Sequence, residues 1–136
     1  MAKIDITKLW ALNYRLVASV IGEVVPALRE QLGIEVKELF LLAELDANPY
    51  PAGLAEALLI PKPSVTVYMK RLEAAELIKR EIDSTDLRRH KLSLTPEGRK
   101  AMTSGLALLA EAFGQRLGRL TTTQQTEFKS LLEKMR

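Results

Sequence analysis

Residues 61–72 read Pro61-Lys62-Pro63-Ser64-Val65-Thr66-Val67-Tyr68-Met69-Lys70-Arg71-Leu72, and residues 83–98 read Asp83-Ser84-Thr85-Asp86-Leu87-Arg88-Arg89-His90-Lys91-Leu92-Ser93-Leu94-Thr95-Pro96-Glu97-Gly98. The first stretch opens on a tight turn and predicts a helix over roughly 63–75. Pro63 suits a first helical turn, where its missing N–H costs nothing. Val65, Met69 and Leu72 share one face and point to a core. Pro63, Thr66, Val67 and Lys70, at i, i+3, i+4 and i+7, share another. The period then changes to two. Residues 77–82 and 90–94 read as short strands, the second with His90, Leu92 and Leu94 on one side and Lys91 and Ser93 on the other. The seven residues Asp83–Arg89 between them exceed what a tight hairpin needs, and long hairpin tips are often functional. Thr95-Pro96-Glu97 is a helix start: a hydroxyl cap, a proline at the first position and an acid in the first turn.

Working outward, residues 35–46 predict a helix with Val36, Leu39, Phe40, Leu42, Ala43 and Leu45 apolar. Asp46-Ala47-Asn48-Pro49-Tyr50-Pro51 is a loop dense in breakers. Residues 52–59 predict a short helix with Leu54, Ala55 and Leu58 inward. Residues 5–31 predict a long helix with two apolar stripes, Leu9/Leu12/Leu16/Val20/Val24 and Trp10/Tyr14/Val17/Ile21/Val25/Leu28. One small monomer covers both with difficulty, so a second subunit is expected to bury part of it. Pro26 is expected to kink this helix, and Gly33 to cap its end. Residues 96–118 carry Met102, Leu106, Leu109, Phe113 and Leu117 at helical spacing. A last helix opens at Thr122-Thr-Gln-Gln125, read as a capping box, with Phe128, Leu131, Leu132 and Met135 apolar. Three short helices followed by a two-stranded hairpin form the winged helix-turn-helix pattern. The fold class is mainly α with a small β-hairpin wing, flanked by N- and C-terminal helices.

The chain has 136 residues, 47% of them apolar and 27% charged, which is one domain's worth of ordinary globular composition. It has no cysteine, which excludes disulfides, thiolate zinc sites and thiol nucleophiles. His90 is the single histidine, which excludes a multi-histidine metal site. No metal and no cofactor is expected, and with no glycine-rich phosphate loop and no nucleophile near His90, no enzyme. The first residues lack a signal-peptide pattern. The longest uncharged run, Ala101–Ala110, is shorter than the about 18 residues a membrane span needs, so the expectation is a soluble, cytoplasmic protein without a membrane partner.

Net charge is +3, unevenly spread. Residues 62–100 hold 10 Lys+Arg against 6 Asp+Glu, a local +4. Within them Ala57–Leu72 and Leu87–Pro96 contain no acid. Two positive patches point to a polyanion; a plain solvated surface is the other reading. A helix fits the major groove of DNA while a second braces it, and a hairpin can reach the adjacent minor groove. On the second face of 63–75, Thr66 can hydrogen-bond a base or phosphate and Val67 can touch a thymine methyl. Lys62 and Ser64 lie near the helix N-terminus, where N–H groups favour phosphate. Lys70 and Arg71 supply charge. The alternative is an ordinary amphipathic helix.

Asp86-Leu-Arg88-Arg89 followed by Leu92-Ser-Leu94-Thr-Pro-Glu-Gly98 resembles the MarR family of bacterial transcription regulators, which carry an Asp-x-Arg wing and then a Leu-Thr-x-x-Gly helix start. Leu32-Gly33-Ile34, Leu54-Ala55, Ser64-Val65-Thr66, Arg71-Leu72-Glu73 and Leu77-Ile78-x-Arg80 fall at the family's positions too, and the resemblance runs from about residue 9 to the C-terminus. It implies a sequence-specific regulator of double-stranded DNA, expected to be a repressor released by a small ligand. Asp86 would pair with Arg88 and hold the wing tip. Arg88 would enter the minor groove, where narrow A·T-rich DNA concentrates negative potential; the other reading is a surface ion pair of little worth. Arg89 and Lys91 would contact phosphate. Arg80 is either a structural ion pair or a DNA contact. Two residues depart from the pattern: Glu76 stands where a turn glycine is usual, so that turn is expected to differ, and Val67 stands where a polar or basic reader is common.

The resemblance also implies a single MarR-like domain over 1–136, with a DNA-binding lobe at 32–95 and dimerisation helices at 5–31 and 96–135. A two-fold dimer would set its recognition helices one helical turn apart, about 34–36 Å, on a pseudo-palindromic operator. The ligand would be a small aromatic or phenolic acid, and Trp10, Tyr14 and Phe40 could line its cavity, although aromatics at helical spacing are more often plain core. The competing function is a winged-helix protein-interaction module that has lost DNA binding.

Overall fold

The computed structural model describes residues 2–136. In chain order the elements are α1 (Ile6–Ala27), a π-helical turn (Leu28–Leu32), α2 (Val36–Glu44), α3 (Pro51–Leu58), α4 (Lys62–Ala74), β1 (Ile78–Ile82), β2 (His90–Leu94), α5 (Pro96–Leu117) and α6 (Thr122–Met135). The fold is mainly helical with one antiparallel hairpin, the winged-helix class expected from the sequence.

The chain divides into two compact units. One holds the described residues up to Val24 together with Ala107–Arg136; the other is Val25–Leu106. The second unit holds most of the buried apolar side chains. Leu39, Leu41, Leu42 and Leu45 of α2 and its end, Leu54 of α3, Val65, Met69 and Leu72 of α4, Ile78 of β1 and Leu92 of β2 are all buried. The inward face read for residues 63–75 is therefore the observed one.

Local chemistry sets the boundaries. The N-terminal helix ends at Ala27, earlier than expected, and a wider turn, Leu28–Leu32, carries the chain on. Pro26 lies inside the helix and cannot donate to the carbonyl four residues back, which weakens the ladder just before that turn. Gly33 closes it in the left-handed region at φ 65°, its N–H on the Arg29 and Leu28 carbonyls, the capping role read for it. Together Ile6–Leu32 are long and apolar enough to cross a membrane by length and composition, which a count of uncharged residues alone missed; the segment also carries Lys8, Arg15, Glu23, Arg29 and Glu30.

β1 and β2 pair with Ile78 opposite Leu94, Arg80 opposite Leu92 and Ile82 opposite His90. Leu92 is buried and Leu94 half-buried, whereas His90, expected on the same side, is exposed at the strand's outer end. The hairpin returns at Thr95-Pro96-Glu97-Gly98. Thr95 N donates to Leu77 O (3.1 Å), its Oγ1 donates to Glu76 O (2.7 Å) and accepts from Gly98 N (2.9 Å). Glu76 sits at φ 60°, so this turn holds a non-glycine residue in the left-handed region that favours glycine.

In the first unit, Phe113 and Phe128 meet with ring centroids 6.4 Å apart. Arg116 donates to Ser19 Oγ, Glu23 Oε2 and the Ala112 carbonyl. The capping box of α6 lies one residue earlier than read: Thr121 Oγ1 accepts from Gln124 N, and Gln124 Oε1 from Thr121 N. Gln125, the residue expected there, instead donates to the Leu117 and Leu120 carbonyls. Ile6, Leu9, Trp10, Leu12, Tyr14 and Val17 on α1, and Leu131, Leu132 and Met135 on α6, remain exposed.

Candidate nucleic-acid interface

The site is built on the outward face of α4 and on the wing, both in the second unit. With Val65, Met69 and Leu72 drawn inward, the helix period turns Lys62, Pro63, Thr66, Val67 and Lys70 to solvent; Ser64 is half-buried. Val67, an apolar side chain, is 55% exposed, which folding alone does not require. α4 starts at Lys62 with Pro61 as its cap, so Lys62, Pro63 and Ser64 form the first turn. Thr66 Oγ1 donates back to the Lys62 carbonyl at 3.1 Å, leaving its lone pairs to an incoming donor.

The wing tip is internally bonded. Asp86 Oδ1 accepts from Arg88 N (3.0 Å) and Arg88 Nε (3.3 Å), the pairing read from the sequence. The Arg88 side chain is nevertheless 92% exposed. Leu87 beside it is exposed as well. Asp83 N donates to Arg89 O (3.1 Å) and Arg89 N to Asp86 O (3.2 Å), which closes the loop at its root.

Three basic residues turn toward acids that distance in the sequence concealed. Arg71 lies 3.5 Å from Glu38 Oε1, and Glu38 is buried on α2, where its carboxylate also accepts from Glu35 N. Arg80 pairs with Glu73, the structural alternative weighed for it. Arg89 donates from Nε to Asp83 Oδ2 at 2.9 Å, and its guanidinium stacks 4.2 Å over the Tyr50 ring. Lys62, Lys70 and Lys91 form no salt bridge among the described residues.

Sequence reasoning missed Asp83, Thr85 and Tyr50. Asp83 is buried and accepts from Thr85 Oγ1 (2.7 Å), Thr85 N (2.8 Å), Tyr50 Oη (2.6 Å) and Arg89. The Thr85 hydroxyl, the Tyr50 phenol and the Thr85 N–H hold its carboxyl well below the usual carboxylate range, against the opposing effect of burial. The hydrogen bond to Asp83, then burial, raises the Tyr50 phenol above its ordinary value. Asp83-Ser-Thr85 carried a readable signal, the aspartate that bonds its own backbone two residues on. Tyr50 carried none.

Of the aromatics suggested for a ligand cavity, two belong to the first unit and one to the second. Trp10 and Tyr14 are exposed neighbours on α1, ring centroids 6.4 Å apart, and Phe40 is half-buried on α2 in the other unit. A cavity of about 240 Å³ within the first unit is lined by Leu16, Phe113, Arg116, Leu117, Arg119, Leu120 and Phe128, none of the three.

A family model described as "MarR family" matches residues 32–89, which span the helix-turn-helix and the wing tip. The HTH-type transcriptional repressor Rv2887 of Mycobacterium tuberculosis is 34% identical over 140 residues, 99% of this chain and 98% of its own. The chain belongs to the MarR family. Members of this family are transcription factors. The transcriptional regulator HosA of Escherichia coli is 33% identical over 83 residues, 61% of this chain and 62% of its own. Among solved structures, Rv2887 in complex with DNA superposes with a TM-score of 0.78 at 31% identity, over 93% of this chain and 96% of that one. Rv2887 with salicylic acid gives 0.75 at 31% identity, over 92% and 93%. Apo MarR from E. coli gives 0.79 at 18% identity, over 93% and 96%, a likeness of fold alone.

Proposed function

We propose that this MarR-family protein is a sequence-specific, double-stranded DNA-binding transcriptional repressor, released from its operator by a small aromatic or phenolic acid. One observation carries the reading. The outward face of α4 presents Thr66, Val67, Lys62 and Lys70 without acidic partners among the described residues, and the same unit projects an almost fully exposed Arg88 from the wing. Arginine at that exposure gains the fold little, while a narrow minor groove would hold it strongly. Ser64, Pro63, Thr66 and Val67 would meet the major groove, with Lys62, Lys70 and Lys91 on phosphates; Asp86 would set Arg88. Arg71 and Arg89 would add positive field while held by Glu38 and Asp83. No catalytic role is part of this reading.

The relatives support both partners: Rv2887 has been solved with DNA and with salicylic acid. The exposed apolar stripes of α1 and α6 support a homodimer, since a second copy would cover them and a two-fold operator requires one. The proposed division is a DNA-binding lobe at 32–95 and dimerisation helices at 5–31 and 96–135, in a cytoplasmic protein.

The test is a mobility-shift titration against duplexes selected by the protein from a random pool. The expected result is enrichment of a pseudo-palindrome, binding that weakens steeply between low and high salt, and release by salicylate. Failure to enrich any duplex would return the protein-interaction alternative.

A further inference from the structure

The wing of this protein is bound to the head of α3 as well as to itself. Tyr50 is the residue on which α3 starts, 33 positions before Asp83. Its hydroxyl donates to Asp83 Oδ2 at 2.6 Å, and its ring lies under the Arg89 guanidinium at 4.2 Å. Arg89 bonds the same carboxylate oxygen at 2.9 Å, while Thr85 occupies the other one twice. Beside this cluster, Leu92 N of β2 donates to the Pro49 carbonyl at 2.8 Å. Asp83 thus collects four donors from the wing and from α3 and is 5% exposed, in a hairpin whose tip is otherwise open to water.

We propose that Tyr50, Asp83 and Arg89 form a latch that fixes the direction of the wing, so that they are positioning residues for Arg88. The inference rests on the DNA-binding reading. A seven-residue tip free to sweep would have to be ordered on each encounter with DNA, and that lost freedom would subtract from affinity. Here the loop root is closed before DNA arrives: Arg89 is clamped at Asp83, and the next side chain along, Arg88, is aimed from a fixed base. Arg89 therefore serves through Asp83 and Tyr50, in place of the phosphate contact that the family resemblance implied for it. Its planar guanidinium stacks on Tyr50 while Nε donates to Asp83, a combination that a lysine would not supply.

Double-mutant cycles on the full chain separate this latch from a phosphate contact and from a merely structural role. Tyr50→Phe, Asp83→Asn and Arg89→Ala are each made alone and with Arg88→Ala, and dissociation constants are measured on the selected duplex. With Arg88 present, Asp83→Asn and Arg89→Ala are expected to weaken binding about five- to tenfold and Tyr50→Phe less. With Arg88 already gone, each is expected to change affinity less than about twofold, because the group they aim is missing. Full additivity would show direct phosphate contact or general damage and overturn the proposal, as would no effect of Asp83→Asn. Amide exchange at residues 84–89 keeps the question open to measurement where affinity falls for other reasons: exchange is expected to quicken in Tyr50→Phe with the helices unchanged, and unchanged exchange there overturns the latch. A wild-type chain that selects no duplex refutes the functional reading instead, and the exchange measurement still judges the latch.

Discussion

Gly98→Ala is expected to be among the most destabilising single-methyl additions to this protein. An added Cβ at Gly98 would stand 1.8 Å from the Leu77 carbonyl oxygen, and reaching the 3.4 Å of ordinary contact requires about 1.6 Å of separation. The obstacle is backbone, so no side-chain rotation relieves it. The strand start and the helix start would have to move apart, and three hydrogen bonds meet at that junction: Thr95 N to Leu77 O, Thr95 Oγ1 to Glu76 O, and Gly98 N to Thr95 Oγ1. Overpacking costs about 1–3 kcal/mol. Each hydrogen bond lost adds about 0.5–1.5 kcal/mol. The better helix propensity of alanine returns about 1 kcal/mol. With two of the three bonds lost the net expectation is a loss of about 1–5 kcal/mol, a large part of the roughly 5–15 kcal/mol a domain has. Urea unfolding followed by far-ultraviolet circular dichroism measures it, at one fixed protein concentration because subunit association contributes. Gly114→Ala is the control: a Cβ there meets nothing within 4 Å, so it should be neutral or slightly stabilising. A Gly98→Ala midpoint equal to wild type would refute the steric reasoning.

Glu76→Gly should raise the unfolding midpoint, because Glu76 holds φ 60° and left-handed backbone costs a non-glycine residue about 1–2 kcal/mol, partly offset by the freer unfolded chain; a lowered midpoint would count against that. Arg88→Ala should leave stability within about 0.5 kcal/mol, since its partner contact is solvent-exposed, yet weaken operator binding by about 1–3 kcal/mol, or 5- to 150-fold; equal affinity with an intact fold would contradict the groove role. Asp83 has a folded pKa below its unfolded value, so its contribution is complete above about pH 4 and is lost as pH falls toward the depressed value. Asp83→Asn should therefore be less stable than wild type at pH 7 and converge with it in acid, and a gap that stays constant down to pH 2 would show the carboxylate's charge to be irrelevant.

What the sequence disclosed and what it hid divide along one physical line. Helix period, strand alternation and turn chemistry are properties of neighbouring residues, and they located every helix and both strands to within a few positions. The inward face of α4 was legible for the same reason, whereas the Asp86–Arg88 pair was legible through the resemblance to the MarR family. Where two overlapping frames satisfy one local rule, the rule alone cannot choose: Thr121-x-x-Gln124 and Thr122-x-x-Gln125 both fit a capping box. The first is the one formed, and Gln125 is taken up by the Leu117 and Leu120 carbonyls. Charge suffers more, because a stretch free of acid along the chain is not free of acid in space. The windows around Arg71 and Arg89 looked uniformly positive, yet folding brings Glu38 to the first and Asp83 with Tyr50 to the second. Lys62, Lys70 and Lys91, which form no salt bridge among the described residues, look no different in sequence from the arginines that do. The basic surface offered to a polyanion is therefore narrower than composition implies. It is also more ordered, since the arginines withdrawn from it hold in place the helix and the hairpin that remain.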